Sequence, residues 1–173
     1  VEIDPQTNNL KRTSTARINK YDRYALESAL QLAEKLGDDV IAITMGPQDA
    51  DQVLAEAIGM GAARGVLLSD RKFAGADTLA TAYTLALGIE KISNVRLVVL
   101  GQQAEDADTG QVGPLIAKQL NLPQATYVSE IAQVTTTQLH VQRAFETVDV
   151  SEKLPYPALL TISNHFGSPR YIM

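Results

Sequence analysis

The 173-residue chain contains no cysteine and no tryptophan, and aromatic residues make up only 5% of it. Without cysteine there can be no disulfide, no thiolate nucleophile, and no Cys-ligated zinc or iron–sulfur site. An intracellular, cytoplasmic setting agrees with that lack. No apolar run approaches the roughly 20 residues of a membrane-spanning helix, and no signal peptide opens the chain. Positive charge is also scarce: 15 Lys and Arg face 20 Asp and Glu, for a net charge of -5. A nucleic-acid binder presents a basic face, so neither nucleic acid nor an anionic membrane surface is expected as a partner. The hydrophobic fraction is 45%, enough at this length to bury a sizeable core.

Apolar spacing alternates between two periods. Val1–Lys11 carries a turn-rich centre and reads as a hairpin. Asn19 precedes a helical pattern through Leu36, with Gly37 at its end; Asn19 and Asp22 have the spacing of a capping pair. Val40–Met45 is almost continuously apolar, as in a strand of a parallel sheet covered on both faces. Gly46-Pro47 then opens a helix whose core face is expected at Ala50, Val53, Leu54, Ala57 and Ile58. Gly65–Ser69 reads as the next strand. Asp77 caps a helix to about Ile92, with Leu79, Ala82, Ala86 and Ile89 on one side. Val95–Leu100 is a further strand. A polar loop follows, then a helix starting near Thr109–Gly110 and ending at Asn121. Beyond it, 126–134, 139–144 and 159–163 are β-like.

Alternating strands and helices predict an α/β fold, a parallel sheet flanked by helices, with added β-strands in the last third. One domain over 1–173 is expected, with a nucleotide-binding α/β core over 1–125 and a β-rich extension over 126–173. Ligands of such sheets sit at the carboxyl edge of the strands. Two loops belong there: Met45-Gly46-Pro47, and Gly101–Gly113, which reads GQQAEDADTGQVG. A helix N-terminus leaves backbone N–H groups unpaired and favours an anion. Gly110 leaves room for a phosphate, and Thr109 and Gln111 offer neutral hydrogen bonds. Asp106 and Asp108 suit ribose hydroxyls or helix capping better than phosphate. On these grounds alone the loop is most simply a capped turn. No Walker lysine follows Gly113.

Leu100–Leu120, LGQQAEDADTGQVGPLIAKQL, resembles the signature stretch of the electron transfer flavoprotein β-subunit family. Further blocks match in the same order. Ile18–Asp22 with Ala25-Leu26-Glu27 resembles "INPYDxxALE", with Lys20 where the family usually has Pro. Ile43–Pro47 resembles the strand end "MGP", and Ala57–Gly65 resembles "ALAMGADRG". Pro157–Thr161 resembles "PALLT", and Ser168–Tyr171 resembles "EPRY". Each is weak alone; together, in order over nearly the whole chain, they are specific.

The resemblance implies an adenine-nucleotide α-hydrolase fold of universal-stress-like type. It implies a heterodimer with a larger α-subunit that carries the redox FAD, and docking to partner dehydrogenases. The β-type chain would hold a second nucleotide, AMP or FAD; DTGQVGP at Asp108–Pro114 looks closer to the FAD version. Carried over by motif, Asn19 and the residues after it would lie by the nucleotide, and Met45 and Gly46 would line the adenine. Asp106, Asp108, Thr109, Gly110, Gln111 and Val112 would form the ribose and phosphate cradle. Asn164, His165, Phe166 and Arg170 fall in the family's partner-recognition loop, with Phe166 as an apolar anchor.

The chain also departs from the family. The opening strand resembling "KIVVCVKQVPD" and the long C-terminal arm are not within Val1–Met173, and Ala144–Thr147 lacks the expected Gly-Gly turn. The role implied is an electron carrier subunit without bond chemistry of its own; the alternative is a stand-alone adenine-nucleotide sensor. His140 and His165 have no metal-spaced companion, and no Gly-x-Ser-x-Gly elbow is present.

Overall fold

The computed structural model describes residues 2–3, 10–11, 18–71, 75, 77–102, 111–145 and 147–163. Strands β1 (Glu2–Ile3) and β2 (Leu10–Lys11) pair antiparallel, as the hairpin pattern predicts. Helix α1 (Lys20–Leu36) follows; Asn19 caps it, and Gly37 closes it in the left-handed region at φ 69°. Strand β3 (Ile41–Met45) leads through a 3-10 turn (Gln48–Ala50) into α2 (Asp51–Met60), and β4 (Arg64–Leu68) returns parallel to β3. Helix α3 (Thr78–Glu90), capped by Asp77, leads to β5 (Leu97–Gly101) and α4 (Val112–Leu120). The last part is all strand: β6 (Gln124–Val134), β7 (Gln138–Ala144), β8 (Asp149–Pro155) and β9 (Ala158–Ile162).

The larger sheet runs β5-β9-β6-β7-β8. Strand β9 lies parallel to both β5 and β6, while β6-β7-β8 form an antiparallel meander. Strands β3 and β4 make a separate parallel pair. The period-2 alternation of β5 and β9 divides the core. Leu97, Val99, Ala158, Leu160 and Ile162 pack against Ala25 and Leu32 of α1. Val98, Leu100 and Leu159 pack against α3 and α4 through Ala82, Ala86, Ile116 and Ala117, joined by Ile43 of β3. Helices therefore cover both faces of these strands, as side chains that alternate across a strand require. A third cluster closes α1 on α2 through Leu30, Ala57 and Met60.

Three readings of the sequence need correction. Ile58 is 47% exposed, and Met60 takes its place in the core of α2. Leu79 is 66% exposed; the inward face of α3 is Ala82, Ala86 and Ile89. With Tyr83 and Leu87, Leu79 instead forms an exposed apolar row at i, i+4, i+8. Strand β8 was not expected at all. Its alternating Val150, Glu152 and Leu154 are the less exposed positions, but a pattern of Asp, Ser, Glu and Lys hides the period.

Among the described residues, β3 is bonded along one edge only, to β4, and β5 along one edge only, to β9. The apolar residues Ile41–Met45 and Leu97–Leu100 are accordingly half-buried. No described helix is long and apolar enough to cross a membrane.

Candidate functional site

The first turn of α1 and the end of β5 meet. Asn19 Oδ1 accepts the Tyr21 N–H at 2.8 Å and the Asp22 N–H at 3.4 Å, an N-cap that satisfies two otherwise orphaned donors. Asp22 does not return the bond to Asn19, as a capping pair would. Its Oδ1 accepts the N–H of Gly101, 79 residues away, at 2.8 Å. Only glycine permits this approach: a Cβ on Gly101 would lie 2.7 Å from Tyr21 Cβ and 2.8 Å from Asp22 Oδ1. Crowding by protein atoms raises the Asp22 carboxyl above its ordinary value, and the hydrogen bond from Gly101 pulls the other way. Asp22 keeps an exposed surface, so water tempers the rise.

The ends of β9 and α4 close on the same place. Gly101 stands opposite Ile162, and the next residue, Gln102, donates its N–H to Ile162 O at 3.2 Å. Helix α4 begins at Val112 with Gln111 as its cap residue, which makes no side-chain capping bond. The first-turn N–H groups of Val112 and Gly113 have no acceptor within the helix, and Pro114 in that turn has no N–H to leave unpaired. A Cβ on Gly113 would come within 2.6 Å of Thr161 Cγ2, so glycine lets α4 seat against β9. The carboxyl edge of β5 and β9 is thus bordered by two helix N-termini.

Two side chains at this edge carry hydrogen-bonding groups beyond those used in the helix cap. The cap uses Asn19 Oδ1, which fixes the amide orientation and makes Nδ2 the group on its other side, a donor. Gln102 Oε1 is buried and has no hydrogen-bond partner among the described residues. A buried acceptor without a donor is costly, and a hydroxyl or amino group of a ligand would relieve it. Neutral donors and acceptors beside two helix N-termini fit a nucleotide.

Of the residues singled out from sequence, Asn19, Gln111 and Val112 border this edge. Met45 and Gly46 stand at the carboxyl end of β3, in the other strand pair, where Gly46 donates to Leu68 O at 3.0 Å. Asp106, Asp108, Thr109 and Gly110 lie outside the described residues, as do Asn164, His165, Phe166 and Arg170. Sequence reasoning missed Gln102 as a member of the site, and it missed the bond between Asp22 and Gly101. Asp22 has a local explanation in helix capping, and nothing local marks a contact 79 residues away. A separate cleft of about 150 Å³ between α1 and β6, lined by Gln31, Lys35, Ser129 and Glu130, contains none of these residues.

The chain is similar to known proteins along nearly its whole length. The family model described as electron transfer flavoprotein domain matches residues 7–173. The "Electron transfer flavoprotein subunit beta" of Thermoanaerobacterium thermosaccharolyticum is 45% identical over 172 residues, 99% of this chain and 65% of that protein. The "Caffeyl-CoA reductase-Etf complex subunit CarD" of Acetobacterium woodii is 44% identical over 174 residues, 99% of this chain and 66% of that protein. "Protein FixA" of Azotobacter vinelandii is 45% identical over 178 residues, covering 99% and 63%. The chain spans about two thirds of the length of these curated relatives.

Proposed function

Because the chain belongs to the electron transfer flavoprotein domain family, we propose that it is a β-type subunit binding FAD or AMP at the carboxyl edge of β5 and β9. With a flavin-bearing α-subunit it passes electrons between dehydrogenases and an acceptor in the cytoplasm. The observation that carries this reading is the orphaned Gln102 Oε1 beside the N-termini of α1 and α4.

The fold proposed is the adenine-nucleotide α-hydrolase, universal-stress-like type, with residues 1–125 as its nucleotide-binding core and 126–173 as the β-rich extension. Asn19 Nδ2 and Gln102 Oε1 supply a donor and an acceptor, and the first-turn N–H groups of α4 face the phosphates. Met45 and Gly46 line the adenine by backbone contacts. Asp106, Asp108, Thr109 and Gly110 complete the ribose and phosphate cradle with Gln111 and Val112. FAD held here would supply reversible electron transfer, whereas AMP would be structural. The chain itself binds, orients and docks.

Asn164, His165, Phe166 and Arg170, which follow β9, are proposed to contact the dehydrogenases. The exposed row Leu79, Tyr83 and Leu87 on α3 is apolar surface of the kind protein partners cover.

The test is to purify the protein with any co-purifying partner, denature it, and identify the released nucleotide by chromatography and mass. FAD supports a redox role for this cradle, and AMP a structural one. A complex that releases neither and shows no flavin absorbance overturns the reading.

A further inference from the structure

The N–H groups of consecutive strand residues point to opposite sides. Gln102 directs its N–H to β9, through Ile162 O at 3.2 Å. Gly101 therefore directs its N–H to the other side of β5, where no described strand is paired. The group that accepts it is the Asp22 carboxylate, at 2.8 Å. Asp22 so replaces a strand partner at the last residue of β5, immediately before Gln102. The clearance around Gly101 leaves no slack: a Cβ there would be 2.7 Å from both the Tyr21 carbonyl carbon and Tyr21 Cβ.

From this contact we propose that Asp22 is a positioning residue for nucleotide binding. Through the Gly101 N–H it locks the end of β5 to the first turn of α1. It thereby sets the distance between Asn19 and Gln102, the two side chains proposed above to hydrogen-bond the nucleotide. Asp22 is assigned no contact with the ligand. The proposal rests on the nucleotide reading above and adds a residue whose effect passes through the backbone.

What Gly101 requires is an acceptor at one position, not a charge. Asparagine places an oxygen at the same reach; alanine has none, and glutamate carries the carboxylate one methylene too far. The experiment measures AMP binding by calorimetry and FAD binding by flavin fluorescence for the unaltered protein, Asp22→Asn, Asp22→Ala and Asp22→Glu. All are assayed at a temperature where circular dichroism shows each fully folded. Expected are near-unaltered affinity for Asp22→Asn and affinity weaker by about tenfold or more for Asp22→Ala, since small misplacements of a binding group are costly. Asp22→Glu, which retains the charge, should weaken binding as well and serves alone if Asp22→Ala does not fold. Equal affinity in all four overturns the positioning role while leaving the nucleotide reading intact. Equal loss in Asp22→Asn and Asp22→Ala overturns it too, because the charge rather than the acceptor would then matter. If the unaltered protein binds neither AMP nor FAD, the nucleotide reading falls and this proposal with it.

Discussion

Asn19 Oδ1 accepts the backbone N–H of Tyr21 at 2.8 Å, and this bond orients the whole amide. One end of the side chain stabilises α1, and the other end, Nδ2, is the donor proposed for the ligand. The two roles can be separated. Asn19→Asp keeps the cap, since Asp caps as well as Asn, but replaces the donor with an acceptor. It should hold the melting temperature near that of the unaltered protein and weaken nucleotide binding. Asn19→Ala should lose both, with a stability cost of about 0.5–2 kcal/mol. Unchanged binding in Asn19→Asp would show that Nδ2 is not used.

Glu56 of α2 fastens the entry to α1. Its Oε2 accepts the Ile18 N–H at 3.1 Å, and its Oε1 pairs with Arg23 Nη2. The Glu56 side chain is only 12% exposed, so its removal strands a buried N–H and a guanidinium. Glu56→Ala should cost about 2–3 kcal/mol, and Glu56→Gln less, because an amide oxygen still accepts. Thermal melts of both variants test this; equal losses would mean that geometry at Ile18 is unimportant.

Gly113 and Thr161 form a steric pair. Gly113→Ala puts a methyl 2.6 Å from Thr161 Cγ2 and should destabilise by about 1–3 kcal/mol as α4 lifts. Thr161→Ser removes that methyl group but keeps the hydroxyl that accepts the Tyr127 N–H at 3.1 Å. The double variant should recover much of the loss, seen as a coupling of about 0.5–3 kcal/mol in a double-mutant cycle. Additive effects would place the strain elsewhere.

The Asp22 carboxyl is raised from 3.8, chiefly by desolvation. Between 3.8 and its native value the folded chain holds a proton that the unfolded chain has released. Stability therefore falls as pH rises through that window, and ionised Asp22 is a cost at neutral pH. Asp22→Asn removes the ionisation while keeping the acceptor for Gly101. Its melting temperature relative to the unaltered protein should rise from mildly acid to neutral pH. A difference independent of pH would mean that the carboxyl is not shifted.

The sequence was most legible where the cause of a structure is local. Asn19, Gly37 and Asp77 mark helix ends because caps and left-handed closures act over one turn. The apolar runs Ile41–Met45 and Leu97–Leu100 mark strands by hydrophobicity alone. The inward faces of α2 and α3 were partly misread at Ile58 and Leu79, since a helix rich in apolar residues all round gives no clear moment. At the site, the cap by Asn19 was visible from sequence. The bond between Asp22 and Gly101 was not, because no sequence period links residues 79 apart. Strand β9 enters between β5 and β6, although it follows β6 by a whole meander, an order that apolar patterning does not encode.

The single bonded edges of β3 and β5 also bear on handling. A strand edge with free N–H and C=O groups and apolar, half-buried side chains is a template for another strand. The natural blunting devices, an edge proline or an inward lysine, are absent from IAITM and LVVLG. Among the described residues nothing pairs with those two edges beyond the bond from Gly101 to Asp22, so wherever they are left uncovered they are where strand-to-strand self-association of concentrated preparations would begin.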